Sequence, residues 1–101
     1  MLRVVLNFLV PVSFISKPTH KTINETETVT FICDVSGNPT PTITWFRGGQ
    51  TVGTGRTLSF PVFRNQSGYY FCVADNDLNV TRNASAYLEV HCKFKSVNEY
   101  M

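Results

Sequence analysis

Apolar side chains in this chain recur at every second position, and no window of about 12 residues carries a helical repeat. A chain patterned in this way buries its hydrophobic side chains as strands with one face turned inward, so the fold class is all-β. Strands are expected at residues 12–16, 28–35, 42–47, 57–62, 68–75 and 84–90, with weaker ones near His20 and Gln50. Turn chemistry separates them. Ser-Gly-Asn-Pro-Thr-Pro at 36–41 and Arg-Gly-Gly at 47–49 are rich in residues that take positive φ or fix it near about −65°, and 76–83 reads as a long polar loop. Gly-Thr-Gly-Arg at 53–56 is poor strand material, so any strand there is expected to be vestigial. Seven or eight short strands in about 85 residues imply a two-sheet antiparallel β-sandwich.

The length of 101 residues holds one small domain, which excludes most multilayer enzymes. The formal charge is only +2 and 16% of residues are charged, a balance that suggests neither nucleic-acid binding nor an acidic tail. A chain this short buries only part of its unfolded surface and gains from a covalent staple, which draws attention to its three cysteines. Cys33 and Cys72 lie inside runs of aromatic and β-branched residues, at 30–35 and 69–74, and read as strand cysteines rather than loop ligands. Four Asn-x-Ser/Thr sequons begin at Asn24, Asn65, Asn79 and Asn83, whereas Asn38 is disqualified by Pro39. These features point to an extracellular chain, either secreted or in the ectodomain of a plasma-membrane protein. Residues 1–10 are read in two ways, as the start of a signal peptide or as the end of a preceding domain. The first reading is weakened by Asn7, which interrupts the apolar run, and by Pro11 and Phe14 where small residues should stand. No stretch of about 18 apolar residues is present to form a membrane-spanning helix.

Cys33, Trp45 twelve residues later, and Cys72 preceded by Ser-Gly-Tyr-Tyr-Phe together resemble the Cys…Trp…Cys pattern of an immunoglobulin-like (Ig-like) domain. Residues 29–47 are similar to the B–C region of I-set or short C2-type domains of the hemicentin-like and neural cell adhesion kinds. Residues 66–76 resemble their F strand and 84–90 their G strand. The resemblance runs over about residues 11–90. It implies an Ig-like sandwich at 11–91 and a linker or tail at 92–101. It also implies a bridge between Cys33 and Cys72, Trp45 packed against that bridge, and Tyr70 as a corner tyrosine whose hydroxyl bonds to upstream backbone. One position departs from the family pattern. Gln66 stands where members usually carry an Asp paired with an Arg, so that ion pair is in doubt, although Gln66 can cap the corner through neutral hydrogen bonds. The span from C′ to E leaves no room for the extra strand of variable-type domains.

Other chemistry is excluded on spacing. Asp75 to Asn79 imitates the start of a calcium loop, but Val80 and Ala86 stand where that loop needs glycine and glutamate, so no metal site is expected. Gly53 to Leu58 lacks the third glycine of a dinucleotide loop, and no cofactor is implied. The only histidines, His20 and His91, lie near opposite ends of the domain sequence with no catalytic motif around them, so the chain is read as non-enzymatic. Cys92 adjoins His91, yet neighbours on a strand point to opposite faces. Its pairing is left open between a free thiol, a bridge to another chain or neighbouring domain, and a bridge displacing the first pair.

Alternation also assigns an outward set. With Tyr70, Cys72 and Ala74 inward, Tyr69, Phe71 and Val73 face out on the G-F-C sheet, where Phe46 and Tyr87 join them. Four aromatics and a valine on one open face mark a partner-binding surface. The sequons are expected at the ends and edges of the sandwich, with Asn79 and Asn83 flanking the F–G loop, so that sugar leaves the face open and Asn83 shields an edge. The resulting reading is a cell adhesion or recognition module that contacts a protein on another cell or in the matrix, with its own kind among the candidates and adjacent Ig-like domains as neighbours. Three alternatives remain. They are a structural spacer, a receptor or secreted immune-type domain binding ligand through loops 38–41 and 75–82, and an intracellular sarcomeric Ig domain.

Overall fold

The structure is a computed structural model that describes residues 8–78 and 80–92, so Asn79 and both terminal segments lie outside the described residues. Nine strands follow in order: β1 (Val10–Ser16), β2 (Lys21–Asn24), β3 (Thr28–Ile32), β4 (Asp34–Asn38), β5 (Thr42–Arg47), β6 (Gln50–Thr54), β7 (Thr57–Pro61), β8 (Gly68–Asp75) and β9 (Thr81–His91), with one 3-10 turn at Arg64–Gln66. One layer is the five-stranded sheet β2-β9-β8-β5-β6. Across the core lies a layer in which β1 pairs with β4 and β3 with β7. Because β3 and β4 are one extended run interrupted only at Cys33, the two pairs share a central strand. All ladders are antiparallel except β2 against β9, which is parallel. The chain is an all-β Ig-like sandwich.

Its core follows from alternation. Val29 and Phe31 on β3, Trp45 on β5, Tyr70 and Cys72 on β8, and Leu88 on β9 are all 2% exposed or less. Cys33 and Cys72 are disulfide-bonded across the layers, and Trp45 stands directly opposite Cys72 in the β5–β8 register. The indole N–H of Trp45 donates to the Gly55 carbonyl at 2.8 Å, so its one polar atom is satisfied despite burial. Phe31, Tyr70 and Phe60 continue the aromatic stack at centroid separations of 5.5 and 5.6 Å.

Three turn assignments need correction. Residues 36–38 extend β4 and pair with β1, so only 39–41 turn, after a cis Asn38–Pro39 bond. Gly37 is needed there for close approach and not for positive φ: a Cβ would meet Asn76 Nδ2 at 3.0 Å and the Val10 carbonyl oxygen at 3.2 Å. Residues 53–54 belong to β6, where Gly53 lets the strand pass the Leu58 side chain, and no separate strand lies between β6 and β7 among the described residues. The 76–83 loop is shorter than its polarity suggests, because β9 already pairs with β8 from Thr81. The Gly48-Gly49 turn holds as read. Both glycines have positive φ and close a two-residue hairpin between Arg47 and Gln50.

The corner before β8 is held by neutral and charge-assisted hydrogen bonds. Tyr70 Oη donates to the Gln66 carbonyl at 2.7 Å, and the Phe63 N–H donates to Gln66 Oε1 at 2.7 Å. Arg47 donates to the carbonyls of Asn65 and Ser67 at 2.8 and 2.9 Å and lies over the Tyr70 ring. Its charge is therefore used without an acidic partner at position 66. Burial pushes the Tyr70 phenol above its ordinary 10.0, partly offset by the Arg47 guanidinium. The folded state thus holds this proton more tightly than the unfolded chain. Stability is fully present below about pH 10 and is lost as pH rises through the raised folded value. Tyr70→Phe is expected to cost about 0.5–1.5 kcal/mol at neutral pH and to flatten the alkaline limb of the stability curve. Urea unfolding at pH 7 and above pH 10 checks both; an alkaline limb identical in the variant contradicts the assignment.

Candidate protein-contact face

The outer surface of the five-stranded sheet is built by the same alternation that fills the core. On β8, Tyr69 and Phe71 are 58% and 39% exposed and Val73 is half-buried; Tyr87 on β9 is 36% exposed, and Phe46 on β5 is half-buried. Cross-strand register brings these side chains together, with Tyr69 opposite Tyr87, Phe71 between Phe46 and Ser85, and Val73 between Thr44 and Asn83. Tyr69 meets Tyr87 edge-on at 4.9 Å and leans toward Phe71 at 6.5 Å. Edge-on aromatic pairs contribute about 0.5–1.5 kcal/mol beyond area burial, so the rings hold one another while remaining open to solvent. Among the other exposed apolar side chains, Ile15 and Ile32 lie on strands of the other layer and Phe63 precedes the 3-10 turn, whereas Val52 lies on β6 at the edge of this sheet.

A polar margin adjoins the rings. The His20 imidazole stacks on Tyr87 at 6.1 Å with an interplanar angle of 9°. The Glu89 carboxylate lies between the two histidines, 3.9 Å from His20 Nε2 and 2.9 Å from His91 Nε2. The expectation that the histidines stand apart is thereby corrected: parallel pairing of Lys21 with Leu88 and of Asn24 with His91 carries both ends of the domain to one place. Alternation within one strand contains no signal for such a meeting. His20 Nε2 also lies 3.2 Å from Thr22 Oγ1, and no group of three or more His, Cys, Asp or Glu among the described residues is arranged to hold a metal ion. In the loop after β8, the Asp75 carboxylate accepts from the Asp77 N–H at 2.9 Å and so serves the turn. Cys92 is half-buried and unpaired.

Of the described sequons, the one at Asn83 departs from the sequence expectation. Asn65 is exposed in the 3-10 turn, away from the rings. Asn83 is not in a loop; it is an exposed residue inside β9, opposite Val73 on the aromatic face itself. Nor is β9 an edge throughout, since β2 covers it from Leu88 to His91. Asn24 is also exposed, paired with His91 at the far end of the same strand. Sequence reasoning also missed Asn76, which is buried and donates from Nδ2 to the Val10 carbonyl at 2.8 Å, tying the end of β8 to β1 across the core.

A five-stranded sheet with aromatic outer rings, joined by a buried disulfide and tryptophan to a second layer, defines an immunoglobulin-type module. The immunoglobulin domain family matches residues 11–76, and the chain belongs to that family. The human netrin receptor DCC is 33% identical over 81 residues, covering 71% of this chain and 6% of that protein. Among solved structures, sidekick-1 immunoglobulin domains 1–5 superpose with a TM-score of 0.80 at 31% identity, over 85% of this chain and 21% of that one. Dpr11 IG1 bound to DIP-gamma IG+IG2 gives 0.76 at 29% identity, over 82% of this chain and 49% of that one. The chain therefore spans a small fraction of the receptor it resembles. It is a non-catalytic Ig module, similar to modules of cell-surface receptors and to Ig domains that form protein–protein complexes.

Proposed function

We propose that the domain is an extracellular recognition module that binds a second copy of itself through the outer face of the five-stranded sheet. The observation that carries this reading is the contiguous ring cluster of Tyr69, Phe71 and Tyr87, flanked on the same face by Phe46 and Val73. Large aromatic side chains already held by their neighbours lose little freedom on contact, which favours association per unit of area buried. None of the five residues is charged, so two copies related by a twofold axis meet without like-charge repulsion at the centre. Complex formation between Ig domains in the Dpr11–DIP-gamma structure supports an Ig-on-Ig geometry. The disulfide and the sequons support an extracellular setting. Residues 11–91 form the module, read as one of an array of Ig-like domains, a reading supported by the small fraction of its relatives that the chain spans.

The test is sedimentation velocity on oxidised protein produced without sugar, alongside a Tyr69→Ser/Phe71→Ser variant. The parent is expected to self-associate as its concentration approaches about 1 mM, and the variant to stay monomeric. Both side chains are outside the core but hold each other, Tyr87 and Phe46, so the variant's unfolding free energy should fall by about 1–3 kcal/mol while the sandwich remains folded. A parent monomeric at every concentration, or a variant that associates equally well, overturns the reading.

A further inference from the structure

We infer that an N-linked sugar at Asn83 closes the aromatic face, so that occupancy of this one sequon switches the module between a masked and a self-associating form. The inference rests on the reading of that face given above. Its basis is register. Asn83 stands directly opposite Val73, and directly opposed residues on neighbouring strands have Cβ atoms about 4.5–5.5 Å apart. Phe71 is opposite Ser85, only two residues along β9, a rise of about 7 Å. Asn83 and Ser85, the first and third residues of the sequon, are both exposed, while the buried Ala86 and Leu88 set the inward phase of the strand. A bulky polar sugar on Asn83 therefore leaves the strand from the same surface as Val73 and Phe71, within one strand spacing of them.

Nothing on β9 diverts the sugar to the far side. Pairing with β2 begins only at Leu88, so among the described residues the 81–87 half of β9 has no strand paired on the side away from β8, and Asn83 is exposed there. A second copy seated on Tyr69, Phe71 and Tyr87 would need that same space. The other sequon on this sheet serves as an internal control. Asn24 pairs with His91, six residues or about 20 Å along β9 from Ser85, the residue opposite Phe71, and so at the margin formed by Glu89 and the histidines. Sugar there leaves the ring cluster accessible.

The experiment compares the parent with Asn83→Gln, Ser85→Ala and Asn24→Gln, all secreted from a eukaryotic cell. Intact mass reads occupancy, and sedimentation velocity reads self-association with the protein itself as the probe. The parent is expected to carry sugar at Asn83 and to remain monomeric. Asn83→Gln and Ser85→Ala, which remove the same sequon by different residues, should each strengthen self-association by about tenfold or more, while Asn24→Gln behaves as the parent. An unoccupied Asn83, or equal association with and without its sugar, overturns the inference. If unglycosylated bacterial protein self-associates but secreted Asn83→Gln does not, the switch fails and the contact face stands. If neither form associates, both readings fall.

Discussion

Replacing Cys33 and Cys72 together by alanine is expected to lower the unfolding free energy by about 4 kcal/mol, the cost of restoring freedom to a loop closed across 39 residues of sequence. Both cysteines are fully buried against the core, so the truncated sulfur atoms leave unfilled space that adds to the loss. A domain of this size has about 5–15 kcal/mol in total, which leaves the double variant barely folded at 25 °C and largely unfolded at 37 °C. Urea titration followed by circular dichroism measures the difference. A loss below about 1 kcal/mol would show that the bridge decorates a sandwich already stable without it.

Trp45→Ala should be comparably severe, at about 3–5 kcal/mol, because the indole is fully buried and its truncation removes the contact with Phe31 and leaves a cavity in the core. Trp45→Phe separates two contributions. It keeps the aromatic contact with Phe31 and loses the hydrogen bond to the Gly55 carbonyl, for an expected cost of about 1–3 kcal/mol. Because Trp45 stands opposite Cys72, its loss and that of the disulfide should be non-additive when combined, and a double-mutant cycle reads the coupling. Strict additivity would contradict the packing of indole against bridge.

How much of this was legible in the sequence depended on which interactions are local. The two-residue period placed Tyr70, Cys72 and Ala74 inward, because a strand's own pleat decides the matter. The same period placed Tyr69, Phe71 and Tyr87 outward. What it could not reveal was pairing between distant segments. Gly37 looks like a turn former in composition, yet its role is to admit Asn76 and the Val10 carbonyl, which approach from far along the chain. His20 and His91 meet only because β2 runs parallel to β9. Asn83 reads as a loop residue among polar neighbours, and only the ladder that continues from Asp75–Thr81 to Val73–Asn83 puts it on the sheet.

That placement changes the functional picture more than any other correction. On the inference drawn above, a face read as open becomes one that a sugar at Asn83 would close, at a position set by strand register.

The central claim, that copies of this domain meet through the outer face of the five-stranded sheet, is tested most directly by amide and methyl NMR shifts of oxidised, sugar-free protein followed over a concentration series. The account predicts shifts that grow with concentration at Phe46, Tyr69, Phe71, Val73 and Tyr87 and leave β1, β3, β4 and β7 unchanged. Shifts confined to that second layer, or none at any concentration, would contradict it.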